Sequence, residues 1–224
     1  MVSSKRAPRK RRAVTEALKD ARRDSILAAA QALFCREPFE SIAMSDIAAA
    51  ADLAKGTLYL YFRTREEIFL ALLTRGYSFW LAAFAEQARN FASPEAALDW
   101  IVDALVARNE LIHLASLLHA VLERNLPVET ARAFKLDVAA GIDALAPDLA
   151  RALRLDSEAD ARRFFHWLQA CLVGVHQLAT PAPAVRAAME SEPRLAALAV
   201  DFRQELRAIL GALLKGMRQN ERSL

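Results

Sequence analysis

Six glycines and eight prolines in 224 residues leave this chain almost without punctuation. Strands joined by tight turns need such residues at most corners, so a many-stranded sheet is hard to build from it. Alanine, the strongest helix former, supplies about a fifth of the residues. No segment shows convincing strict alternation of apolar and polar types. The sequence therefore predicts an all-α fold. Apolar types reach 54% and charged types 25%, which gives ample core material and no compositional case for global disorder.

Several function classes fall away on composition. Cys35 and Cys171 are too few for a disulfide framework and lack CxxC spacing, which fits a reducing, cytoplasmic compartment. No uninterrupted apolar run reaches about 18 residues, so no membrane span is expected, and the basic N-terminus does not read as a signal peptide. His113, His119, His166 and His176 show neither HExxH nor i, i+4 spacing, so no metal is expected. GxGxxG, P-loop and GxSxG sequences are absent, so neither a cofactor nor an enzyme is expected. The two cysteines lie in apolar helical faces, as buried inert thiols would.

Charge is distributed unevenly. Residues 1–23 carry nine basic and two acidic side chains, a local net of +7, so a whole-chain charge of +3 leaves −4 on the other 201. Residues 1–14 read as a flexible basic arm, suited to a polyanion (nucleic acid or an anionic membrane surface) or to solubility alone.

From about Val14 the pattern turns helical, with Ile26, Ala29, Ala30, Leu33 and Phe34 on one face, and Glu37-Pro38 stops it. A short helix at about Ser45–Ala51, a tight connection at Asp52-Leu53-Ala54 and a second segment Lys55–Phe62 follow. Thr64-Arg65-Glu66-Glu67 reads as a capping box opening a long helix. Beyond Ser93-Pro94, an N-cap with proline at the first helical position, helices are expected at about 94–110, 112–124, 128–146, 157–179 and 193–217. Pro127, Pro147, the 180–183 stretch and Pro193 serve as breaks.

Two short helices joined by three residues bury surface only if they cross closely. Ala48 is the small contact, and Ile47, Ala51, Leu53, Leu58 and Tyr61 are the inward positions. Lys55, Thr57 and Tyr59 then project away from the seam, as in a helix-turn-helix whose second helix enters the major groove.

The stretch Lys55-Gly56-Thr57-Leu58-Tyr59, then Tyr61-Phe62 and Arg65-Glu66-Glu67-Ile68, resembles the DNA-binding domain of the tetracycline-repressor (TetR) family of bacterial transcriptional regulators. The resemblance covers roughly residues 22–75. Asp52 stands where the family often has glycine, Ala54 where a hydroxyl residue precedes the recognition helix, and Ala43 where a threonine often caps the helix before it. The resemblance implies three parts: an arm at 1–14, a three-helix DNA-binding domain at 15–66, and a larger helical effector-binding and dimerisation domain at 67–224. It further implies phosphate contacts from Ser45, Tyr59, Tyr61 and Arg65, base-edge or phosphate contacts from Lys55 and Thr57, and close backbone approach at Gly56. Tyr61 also suits a core position, and Phe62 reads as core.

The arm, with Arg9 and Arg11 among its cations, would follow the DNA backbone or enter the minor groove. Each phosphate it neutralises adds about −0.9 to the log–log salt slope of binding. Deleting residues 1–12 is therefore expected to weaken and flatten that dependence, and an unchanged slope would make the arm a solvated tail.

In the body, the resemblance implies a homodimer through about 157–179 and 193–217, using Phe164, Phe165, Leu168, Cys171, Leu172, Val175 and Leu195, Leu198, Phe202, Leu206, Ile209, Leu210, Leu213. The partners are then a palindromic double-stranded operator, a second copy, and a small organic effector, with no membrane. Trp80, Phe84, Trp100, His113, Leu117, Phe134 and Trp167 are the candidate pocket residues, with Leu118 and His119 nearby. The function implied is a dimeric repressor released from its operator by the effector. The alternatives are a helical bundle for a membrane surface or protein partner, which leaves Lys55–Phe62 unexplained, and a DNA-binding activator without a ligand.

Overall fold

A computed structural model describes residues 7–219. Among them every regular element is helical, and the chain divides into two compact units, residues 1–72 and 73–224. The division falls six residues beyond the boundary drawn from the sequence.

The N-terminal unit contains α1 (Ala7–Phe34), a 3-10 turn (Phe39–Ser41), α2 (Met44–Ala50), α3 (Lys55–Leu58) and the first turns of α4 (Arg65–Gln87). The helix α1 starts at Ala7, inside the segment read as a flexible arm, while residues 1–6 of that arm lie outside the described residues. Its core joins Ile26, Ala30, Phe34, Phe39, Ile42, Ile47, Leu58, Phe62 and Ile68 around the fully buried Phe69. The Phe69 ring lies 5.3 Å from Phe34 and 5.0 Å from Phe39. Cys35, expected to be buried, is exposed just beyond the end of α1.

The C-terminal unit holds the rest of α4, then α5 (Pro94–Val106), α6 (Asn109–Leu117), α7 (Val128–Leu153), α8 (Glu158–Ala179), α9 (Pro183–Ser191) and α10 (Phe202–Gln219). Helix α8 packs against α6, α7 and α10, which makes it the spine of this unit. Its start is capped by Ser157, whose Oγ accepts the Asp160 amide at 3.1 Å. Ser93 Oγ does the same for Ala96 at 3.1 Å, with Pro94 at the first helical position of α5.

Four expectations fail here. Helix α7 continues through Pro147 to Leu153 rather than stopping at 146. Helix α6 ends at Leu117 and passes into a π turn (Leu118–Leu122) and a 3-10 turn (Glu123–Asn125). The 180–183 stretch is followed by α9, because Pro183 sits at the first turn, where its missing N–H is harmless. The segment 193–217 is not one helix. A 3-10 turn (Pro193–Leu198) precedes an extended link, and α10 starts only after Asp201, whose Oδ1 accepts the Gln204 amide at 2.7 Å.

By length and composition α4 is apolar enough to cross a bilayer. Its Ile68, Phe69, Leu70 and Leu72 are instead buried in the first unit, and Leu73, Trp80 and Phe84 in the second.

Candidate nucleic-acid interface and ligand cavity

The α2–α3 pair forms as its spacing demands. Ala48, 2% exposed, is the close contact, and its carbonyl accepts the Leu53 amide at 2.9 Å. The turn needs a left-handed residue, and Asp52 takes that role at φ 55°. Asp is among the few side chains that tolerate this region. Ala43 cannot cap α2 with a side chain, yet its amide donates to Asp46 Oδ2 at 2.8 Å, so half of a capping box survives. At Ala54 no side chain caps α3.

Helix α3 is one turn, Lys55–Leu58, and looser turns carry the chain on to Phe62. Leu58 is fully buried, while Lys55, Gly56 and Tyr59 are exposed and Thr57 is half-buried. A Cβ at Gly56 would meet no described atom within 4 Å, so a flat surface could approach its backbone. Ser45 is exposed near the start of α2. Tyr61 is half-buried, so its two readings both keep support, and Phe62 is core, with the Arg23 guanidinium 4.5 Å from its ring. Sequence reasoning missed Leu60, at 83% the most exposed large apolar side chain among the described residues. Its position one residue past Tyr59 was the available signal.

Arg65, expected as a phosphate ligand, is engaged with the protein's own backbone. Its Nη1 donates to the carbonyls of Ile42 at 2.7 Å, Phe39 at 2.9 Å and Glu40 at 3.3 Å. The guanidinium also lies 4.1 Å from the Phe39 ring. It ties the 3-10 turn to the start of α4. The Thr64 cap forms, with Oγ1 accepting the Glu67 amide at 3.2 Å, and the Glu67 carboxylate accepts the Arg63 amide at 2.7 Å. The side chains of Arg9 and Arg11 lie outside the described residues.

In the C-terminal unit a cavity of about 570 Å³ opens between α4, the end of α6 with its π turn, α7 and α8. Its walls are apolar, including Leu118, Phe134, Val138, Ile142, Phe165 and Val173, and its polar lining comes from Tyr77, His119, Lys135, His166 and Gln169. Tyr77 donates to Gln169 Oε1 at 3.0 Å. Burial, partly offset by that bond, pushes the Tyr77 phenol up to about 12, so it stays a neutral donor.

Of the seven pocket residues expected from the sequence, Phe134 alone lines this cavity. Trp80 and Phe84 are buried in an aromatic cluster with the half-buried Trp100, at ring separations of 5.6 to 6.3 Å. Among the described residues the Trp80 indole N–H has no hydrogen-bond acceptor. His113 faces His176 at 5.9 Å, and burial with that neighbour lowers the His176 pKa. Leu117 and Trp167 are half-buried and outside the cavity wall. The signal that could have found the wall was a stripe on each of two helices: Phe134, Val138, Ile142 and Phe165, Gln169, Val173.

Residues 26–72 match the family described as "Bacterial regulatory proteins, tetR family", and residues 74–221 match "Tetracyclin repressor-like, C-terminal domain". The chain belongs to the TetR family. Among relatives, the uncharacterized HTH-type transcriptional regulator YfiR of Bacillus subtilis (strain 168) is 33% identical over 95 residues, 41% of this chain and 46% of that protein. The match thus spans about half of that relative's length. Two solved structures share the TetR fold. The fatty acid degradation regulator FadR from Bacillus halodurans has a TM-score of 0.56 at 18% identity, covering 88% of this chain and 96% of its own. A TetR/AcrR-family regulator from Thermobifida fusca YX-ER1 has a TM-score of 0.57 at 17% identity, covering 88% and 98%.

Proposed function

We propose that this TetR-family regulator acts as a dimeric repressor, placing α3 of each protomer in successive major grooves of a palindromic operator. The observation that carries this reading is the split of one short segment. Leu58 is sealed in the core, while Lys55, Gly56, Tyr59 and Leu60 face outward around it. An ammonium and a phenol suit phosphates and base edges, and an exposed leucine suits a thymine methyl group. Ser45 sits beside this face as a phosphate contact. Arg65, committed to backbone carbonyls, acts as a positioning residue rather than a DNA ligand.

The apolar sets expected at the dimer interface are largely used by the unit's own core, since Phe164, Phe165, Leu168, Leu172, Val175, Leu206 and Leu210 are all buried. Of the same sets, Cys171, Leu195, Phe202, Ile209 and Leu213 stay half-buried and Leu198 is exposed, and beside them the outer faces carry small residues, Gly174 on α8 and Ala208, Ala212 and Gly216 on α10. A Cβ at Gly174 or Gly216 would meet no described atom within 4 Å. Small side chains allow close helix approach, which supports pairing of these two helices with their copies. The cavity takes a small organic effector, and α4, which carries both Arg65 and the cavity residue Tyr77, transmits its binding.

Selection of bound duplexes from a random pool tests this directly, and a recovered palindrome with half-sites about one helical turn apart is expected. On that operator Lys55→Ala and Thr57→Ala are expected to lose about tenfold in affinity and to relax sequence preference. Tyr59→Phe is expected to weaken all duplexes alike. Equal losses on selected and random DNA for all three would remove base reading from this segment.

A further inference from the structure

The cavity wall carries no carboxylate, and its one permanently charged group is the Lys135 ammonium. That ammonium is occupied. Its Nζ lies 2.5 Å from Oε1 of Glu123, whose Oε2 lies 2.9 Å from Nδ1 of His119. Lys135 and His119 line the cavity, whereas Glu123 stands behind them in the 3-10 turn that follows the π turn. The surrounding charges are otherwise engaged or displaced. Arg162 of α8 pairs with Asp143 and Glu158, His166 Nδ1 rests 2.7 Å from the Arg162 carbonyl, and Asp137 lines a small adjoining recess.

We infer that the effector is an amphipathic anion, with an apolar tail in the cavity and a carboxylate or similar head that takes Lys135 and His119 from Glu123. This rests on the reading of the cavity as the effector site. The walls decide the tail, because their lining is mostly apolar and, besides Lys135 and His119, its polar members are His166 and the mutually bonded Tyr77 and Gln169. The rim decides the head. A cationic head would meet Lys135 with no carboxylate on the wall to offset it, and a neutral head would leave the Lys135–Glu123 pair intact. An anionic head can exchange for Glu123, since Lys135 and His119 each have one carboxylate partner to give up. Glu123 is thus an internal stand-in for the head. Its release frees the turn joined to the π turn, a non-standard segment of the kind that often marks functional sites.

Titration of the full chain with dodecanoate, dodecan-1-ol and dodecyltrimethylammonium, each below its micellar range, tests the proposal by calorimetry. Dodecanoate is expected to bind at least tenfold more tightly than the alcohol, and the ammonium more weakly than both. Glu123→Gln removes the competing charge and is expected to tighten dodecanoate about tenfold while leaving the alcohol within twofold. Lys135→Gln is expected to loosen dodecanoate about tenfold, again sparing the alcohol. Ala139→Trp, which fills the cavity, is expected to abolish binding of both. Equal binding of carboxylate and alcohol, unmoved by either rim variant, would overturn the anionic head and leave the cavity as a ligand site. Preference for the ammonium would overturn it in favour of Glu123 as the recognition group. Failure of every probe to bind a chain that still binds duplex DNA would overturn both this inference and the cavity's role.

Discussion

Replacing Arg65 by alanine is expected to destabilise the N-terminal unit by about 3 kcal/mol. One guanidinium nitrogen serves three carbonyls, at 2.7, 2.9 and 3.3 Å, and the group lies over the Phe39 ring at 4.1 Å. Hydrogen bonds from a charged donor contribute roughly 1.5–3 kcal/mol each when shielded, and the ring contact roughly 0.5–1. The side chain is 26% exposed, which trims the sum, and its pairing with Glu66 at 3.4 Å adds almost nothing. Lysine at this position keeps the charge but not the planar fork, so Arg65→Lys is expected to recover less than half of the loss. The three tryptophans, Trp80, Trp100 and Trp167, all lie in the C-terminal unit. In urea, the variant's circular-dichroism transition is therefore expected to begin before its tryptophan fluorescence changes. A residue that merely touched phosphate would leave both curves in place and weaken DNA binding alone, and that outcome would return Arg65 to the interface.

Arg65 also shows where reading the sequence stops. Residues such as Ile47, Ala48, Asp52 and Leu58 were legible because their roles are local. A short loop between short helices leaves one seam to bury and one backbone angle to accommodate. The face opposite the seam follows by subtraction, which is how Lys55 and Tyr59 come out exposed. Arg65 acts on carbonyls more than twenty residues earlier, and no periodicity reports a contact of that range. The cavity was illegible for a related reason. Phe134, Val138 and Ile142 form the same apolar stripe whether they meet another helix or an open volume, and aromatic content pointed instead to Trp80 and Phe84, which are closed core. Helix ends depended on single residues. Asp201 opens α10 by accepting the Gln204 amide, a signal present in the sequence but outweighed by the apolar run from Leu195 onward.

Pro147 is the misreading with the largest energetic consequence. A proline inside a helix lacks the amide that would bond to the carbonyl four residues back, here that of Asp143, and its ring crowds that carbonyl. The helix persists because the residues on either side are anchored, with Leu145, Ala146 and Leu149 all buried. Packing on α8 and α5 thus overrides a local cost of about 3 kcal/mol relative to alanine. Pro147 itself is exposed, so replacing it disturbs no core contact. Pro147→Ala restores the amide and removes the clash, while the unfolded chain regains roughly 0.4–1 kcal/mol of entropy that the ring had withheld. The relaxation already built into α7 absorbs part of the rest, which leaves a net gain of about 1–2 kcal/mol. In a unit of this size that corresponds to a rise of roughly 3–6 °C in the thermal midpoint followed by tryptophan fluorescence. A fall in the midpoint would mean that α7 is bent at Asp143–Pro147 to fit its neighbours, and that a straight helix no longer packs. The same measurement with Pro94→Ala serves as the control. That proline occupies a first-turn position with no amide to restore, so no gain is expected there.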